Sequence, residues 1–84
     1  MRKGAITVIS YDELLRVITS YQGIVEFNYH GKACDIDPFG PNAFHIYCDG
    51  EEWDVASIEE VENGRYFDGK SLRDIADEIT DVRW

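Results

Sequence analysis

The stretch Gly64-Arg65-Tyr66-Phe67-Asp68-Gly69-Lys70-Ser71 spells G-x-x-x-x-G-K-[ST], the pattern of a loop that cradles phosphates with backbone N–H groups between a buried strand and a helix. The residues that should form that strand, Ser57-Ile58-Glu59-Glu60-Val61-Glu62-Asn63, instead begin with a helix cap, and so short a chain has no room for a parallel sheet with crossover helices. Tyr66 and Phe67 are bulky for a phosphate cradle, and Glu60, Glu62 and Asp68 would repel a triphosphate. The plainer reading is a glycine turn followed by Ser71 capping a helix. His30, Cys34, His45 and Cys48 can be written as H-x3-C and H-x2-C, all zinc-ligand types, but strand alternation sends His45 and Cys48 to opposite faces. Asp35-x-Asp37-x-x-Gly40 opens like a calcium loop whose twelfth position, Ile46, lacks the required carboxylate. The pairs Asp35/Asp37 and Glu52/Asp54 have the chemistry of an acid and a base, yet no nucleophile with an adjacent base accompanies them. The sequence therefore predicts no catalytic residue, no metal and no cofactor, and a protein that is not an enzyme.

The elements that position these residues follow from periodicity. Ser10 with Glu13 three residues on is a capping-box pattern, and Ile9 and Leu14 sit where a hydrophobic staple needs them, so a first helix is expected over residues 11–20. After Gly23, the apolar set Val25, Phe27 and Tyr29 alternates with Glu26 and Asn28, the two-residue repeat of a half-buried strand. Gly31-Lys32 supplies a turn, and Cys34 and Ile36 alternate with Asp35 and Asp37 on the return strand until Pro38, Gly40, Pro41 and Asn42 break the pattern. A third strand over 43–48 sends Phe44, Ile46 and Cys48 inward and His45 and Tyr47 outward. Asp49-Gly50 is a hairpin signal, so 51–55 pairs back with Trp53 and Val55 inward. Ser57 with Glu60 opens a short helix near 57–63, with Gly64 suited to its C′ position. Ser71 with Asp74 opens the last helix, in which Leu72, Ile75, Ala76 and Ile79 recur at helical spacing. The fold class is α+β: an antiparallel meander of about four strands against an N-terminal and a C-terminal helix, one domain spanning residues 1–84.

Aromatic residues make up 13% of the chain and hydrophobic residues 44%, too many for a disordered acidic tail. No run approaches the roughly 20 apolar residues of a membrane span. Arg2 and Lys3 precede an apolar run too short for a signal peptide, because Tyr11-Asp12-Glu13 follows, so the chain is read as cytoplasmic, with Cys34 and Cys48 as two reduced, half-buried thiols.

The formal net charge is −9. Between Lys32 and Arg65 there is no Lys or Arg, whereas Asp35, Asp37, Asp49, Glu51, Glu52, Asp54, Glu59, Glu60 and Glu62 all fall there. The rest of the chain holds eight acidic and eight basic residues, so the whole excess belongs to one segment. On the expected last helix, Asp74, Asp77, Glu78 and Asp81 share a second acidic face opposite the apolar stripe. Such crowding repels, and a basic partner would relieve it. The large basic surfaces of a cell are the grooves of nucleic-acid-binding proteins, and direct binding of DNA or RNA by this chain is not expected because it has no basic field.

The strings Phe27-Asn28-Tyr29-His30-Gly31-Lys32 and Phe67-Asp68-Gly69-Lys70-Ser71-Leu72-Arg73-Asp74-Ile75-Ala76-Asp77-Glu78-Ile79 resemble a pattern in small uncharacterised bacterial and mobile-element proteins, which implies a small α+β domain. In size and acidity the chain is similar to phage-encoded anti-CRISPR proteins, several of which mimic DNA. That resemblance implies an inhibitor that presents the nine carboxylates of residues 33–64 to a basic nucleic-acid-binding protein such as a CRISPR-Cas component. The alternative expectation is a small structural or regulatory interaction module, including a homodimeric one, whose acidity is incidental.

Overall fold

The computed structural model describes the backbone at Ala5 and Ile6 and all of residues 9–84; Arg2 and Lys3 lie outside the described residues. The elements run β1 (Ala5–Ile6), α1 (Tyr11–Ile18), β2 (Val25–Tyr29), β3 (Lys32–Gly40), β4 (Ala43–Cys48), β5 (Glu51–Val55), α2 (Ile58–Asn63), α3 (Leu72–Ile75) and β6 (Ile79–Arg83). The strands form one antiparallel sheet in the order β1-β6-β2-β3-β4-β5, and the class is α+β as expected.

The meander β2 to β5 is built by alternation and tight turns. His30-Gly31 and Asp49-Gly50 each take positive φ at both residues (50° and 79°, 51° and 90°), the backbone of a two-residue turn whose twist matches the flanking strands. The first turn therefore centres on His30-Gly31, leaving Lys32 paired with Tyr29. Strand β3 runs on through Pro38, which the sequence reads as a breaker: Pro38 is buried opposite Phe44, and the register slips between Pro38 and Gly40.

Val25, Phe27, Tyr29, Cys34, Ile36, Phe44, Ile46 and Cys48 all point to one face of the sheet, where Leu14, Val17 and Ile18 of α1, Val61 of α2, Phe67, and Leu72 and Ile75 of α3 cover them. Ile9 and Leu14 both end in this core, as a staple requires. The three N-caps also form, with Ser10, Ser57 and Ser71 each accepting from the backbone N–H three residues on. Only Ser71 and Asp74 complete the reciprocal box. Glu13 turns instead to Arg16, whose Nε donates to it at 2.9 Å, and Glu60 reaches one residue further back, to the N–H of Ala56 at 3.2 Å.

Two expectations are corrected. Cys34 and Cys48 are not separate thiols: β3–β4 pairing sets them directly opposite each other on the buried face, Cα atoms 4.1 Å apart, and they form a disulfide. Nor does a long last helix exist. The helix ends after Ile75, and Ile79–Arg83 becomes a strand between β1 and β2. The apolar spacing that reads as helical is overridden because β2 would otherwise expose a row of unpaired backbone groups along that edge. As β6, the segment places Ile79 and Val82 in the core.

Candidate functional site

Among the described residues all three helices lie on one side of the sheet and none covers the opposite, open face, whose side chains come from the alternate positions of each strand. Register assembles them into rows. Arg83, Glu26, Asp35, Tyr47 and Glu52 stand opposite one another across β6, β2, β3, β4 and β5. Asp37, His45 and Asp54 form a second row across β3, β4 and β5. Directly opposed side chains in such pairs stand about 5 Å apart, so five carboxylates, those of Glu26, Asp35, Asp37, Glu52 and Asp54, share a compact rigid face.

The electrostatics follow from this crowding. Partial burial pushes the Asp35 carboxyl above its ordinary range, and the charges of Glu26, Asp37 and Glu52 push it further, against the opposing pull of His45. His45 is held between two acids: Nδ1 lies 2.7 Å from Asp54 Oδ1 and Nε2 lies 2.9 Å from Glu52 Oε1. Its affinity for a proton is raised, chiefly by the hydrogen bond to Asp54 and then by that to Glu52. Beyond this acidic floor the β3–β4 end is apolar: Phe39 is 69% exposed and Ile24 37%.

The nine expected partner-binding acids do not form one surface. Asp35, Asp37, Glu52 and Asp54 reach the open face. Asp49 sits in the β4–β5 turn, and Glu51, opposite Cys48, takes the parity of the helical side. Glu59, Glu60 and Glu62 belong to α2, in the layer behind the sheet. Glu62 is occupied there, accepting from the Tyr11 hydroxyl at 2.7 Å and from Arg73 at 3.0 Å. Glu26, which sequence reasoning left outside the acidic segment, belongs to the face by register although its Oε1 is buried; its alternation with Val25 and Phe27 was the signal for it.

The second acidic face also dissolves, because Asp74, Asp77, Glu78 and Asp81 no longer share a helix. Asp74 closes the capping box, whose hydrogen bonds from Ser71 hold its carboxyl below the usual range. Glu78 pairs with His30 at 2.7 Å, Asp81 accepts from Asn28 Nδ2 at 3.1 Å on β6, and Asp77 is exposed in the connection.

The motif at residues 64–71 is a third tight turn. Asp68 and Gly69 have φ of 57° and 78°, and Phe67 and Lys70 exchange backbone hydrogen bonds at 3.1 Å, which consumes groups a phosphate loop would offer to its ligand. Gly64 departs from the left-handed C′ geometry (φ −69°); it is glycine because the Tyr66 ring lies where its Cβ would be. The zinc set is divided as alternation required, with the cysteines in the core and His45 on the open face. A shallow groove of about 440 Å³ between α1 and α3 contains Tyr11, Arg73, Asp74 and Asp77. Burial first, and then Glu62, push the Tyr11 phenol up to about 12, so it stands there as a protonated donor. Among the described residues no helix is long and apolar enough to cross a membrane. The chain matches no protein-family model, no curated protein and no solved structure.

Proposed function

We propose that this chain is a non-catalytic inhibitor or regulator that docks its open sheet face onto the basic nucleic-acid-binding surface of a partner protein, in the manner of a DNA mimic. The observation that carries the reading is the pair of cross-strand rows holding Glu26, Asp35, Asp37, Glu52 and Asp54 on a face that no helix of the described residues covers. Strand pairing fixes the backbone from which these carboxylates project, so the face needs no refolding on binding, and a groove lined with Lys and Arg gains from them what it gains from phosphates. A CRISPR-Cas effector is one partner of this class, in keeping with the size and charge of the chain.

The test is competition for DNA on a panel of such effectors and other basic DNA-binding proteins. The protein should displace DNA from its target, lose affinity as salt rises, and fail to compete when Asp37→Lys and Glu52→Lys are combined. Competition that survives the double reversal refutes the reading. The exposed Phe39 and Ile24 favour a second reading, an interaction module that binds through an apolar contact at the β3–β4 end. That interface would hold or tighten in salt and would be lost in Phe39→Ala.

A further inference from the structure

We propose that His45 is a pH-operated clasp that sets how many free carboxylates the open face presents, so that a cationic partner binds more tightly at mildly alkaline than at mildly acidic pH. The proposal rests on the open face being the docking surface.

The geometry needs a particular protonation state. A neutral imidazole has one N–H donor and one lone pair, whereas the imidazolium has two donors. Both ring nitrogens of His45 face carboxylate oxygens within hydrogen-bond distance, Asp54 at 2.7 Å and Glu52 at 2.9 Å. Only the imidazolium satisfies both. When it loses a proton, one nitrogen turns a lone pair toward a carboxylate under 3 Å away, and that contact must open.

Register identifies which one opens. Asp54 stands directly opposite His45 and makes the shorter contact, so it keeps the Nδ1 proton. Glu52 reaches His45 diagonally from its place opposite Tyr47, has the longer side chain and the longer contact, and is released. Freed, it stands in the row with Asp35 and Glu26. The groups facing His45 are Asp37 and Asp35 from β3, Asp54 and Glu52 from β5, and Tyr47 on its own strand. Four of these five are acids, so the neighbourhood favours the closed, protonated clasp, and opening it adds one unit of negative charge to the face together with a mobile carboxylate.

Two measurements on the full chain test this. Ring ¹⁵N NMR should find both His45 nitrogens protonated at pH 6 and only Nδ1 at pH 8.5, with the transition moved to lower pH in Asp54→Asn. Fluorescence anisotropy with a dodecalysine peptide at fixed low salt should find binding about two- to fourfold tighter at pH 8.5 than at pH 6, the effect of one charge about 5–10 Å away in water. His45→Gln should remove that gain, while His30→Gln keeps it. A gain that persists in His45→Gln, or a ring that titrates like an unclasped histidine, overturns the clasp. Peptide binding that ignores both salt and the Asp37→Lys/Glu52→Lys reversal overturns the docking face instead, and the NMR titration separates the two failures.

Discussion

Reducing the bridge between Cys34 and Cys48 should lower the stability of this domain without changing its fold. The two residues are 14 apart in sequence and are joined on adjacent strands whose pairing extends from Cys34–Cys48 to Gly40–Ala43, so β3 and β4 hold them together with or without the bond. The difference therefore lies in the unfolded chain, where the bridge closes a loop of about 15 residues; chain-entropy arguments put the effect of such a loop at about 3 kcal/mol at 25 °C. For a domain of this size, with a total stability near the lower end of the 5–15 kcal/mol range, that is a large share. The assay is urea unfolding followed by the fluorescence of Trp53 and Trp84, with and without a phosphine reductant. The midpoint should fall by an amount equivalent to about 2–3 kcal/mol, the thermal midpoint should fall by roughly 10–20 °C, and the urea dependence should steepen because the reduced unfolded chain exposes more surface. Reduction is a cleaner perturbation than replacing both cysteines with alanine, because it leaves the buried volume almost intact. Superimposable curves, or two thiols that alkylate in denaturant without reductant, would refute the reasoning.

Three further outcomes are expected. Gly64→Ala places a methyl group inside the Tyr66 ring and should cost about 1–3 kcal/mol while altering the near-ultraviolet signal of Tyr66 and its neighbour Trp53, whose rings lie 5.1 Å apart. Ser71→Ala removes the acceptor that caps α3 and should cost about 1 kcal/mol in urea unfolding. His45 binds its proton more tightly folded than unfolded, so its contribution is complete below the ordinary histidine value near 6.5 and is lost as pH rises through the raised folded value. Because the carboxylates that hold it, Glu52 and Asp54, are largely exposed, the change should be under about 1 kcal/mol, and a stability profile from pH 5 to 9 should flatten in His45→Gln.

Local pattern and tertiary structure divide cleanly here. Alternation from Val25 to Val55 was enough to define the meander, its inward residues and the separation of His45 from the two cysteines, because side-chain parity is a property of each strand taken alone. The Asp49-Gly50 turn and the three serine caps were legible for the same reason: each depends on residues within four positions. Pairing across the chain was not legible. Residues 72–79 carry a helical apolar spacing, yet from Ile79 the backbone pairs with β2, about fifty residues earlier. A free strand edge outweighs the modest preference of a short helix, and nothing near Ile79 in sequence announces that edge. Register within the hairpins set Cys34 against Cys48 and brought Glu26 beside Asp35, and the packing of α2 on the inner face put Glu59, Glu60 and Glu62 in the other layer. The sequence by itself determined how much negative charge this protein carries and along which segment. Only the tertiary structure decided which of those carboxylates share a face, because that depends on the register between strands and on the side of the sheet the helices cover.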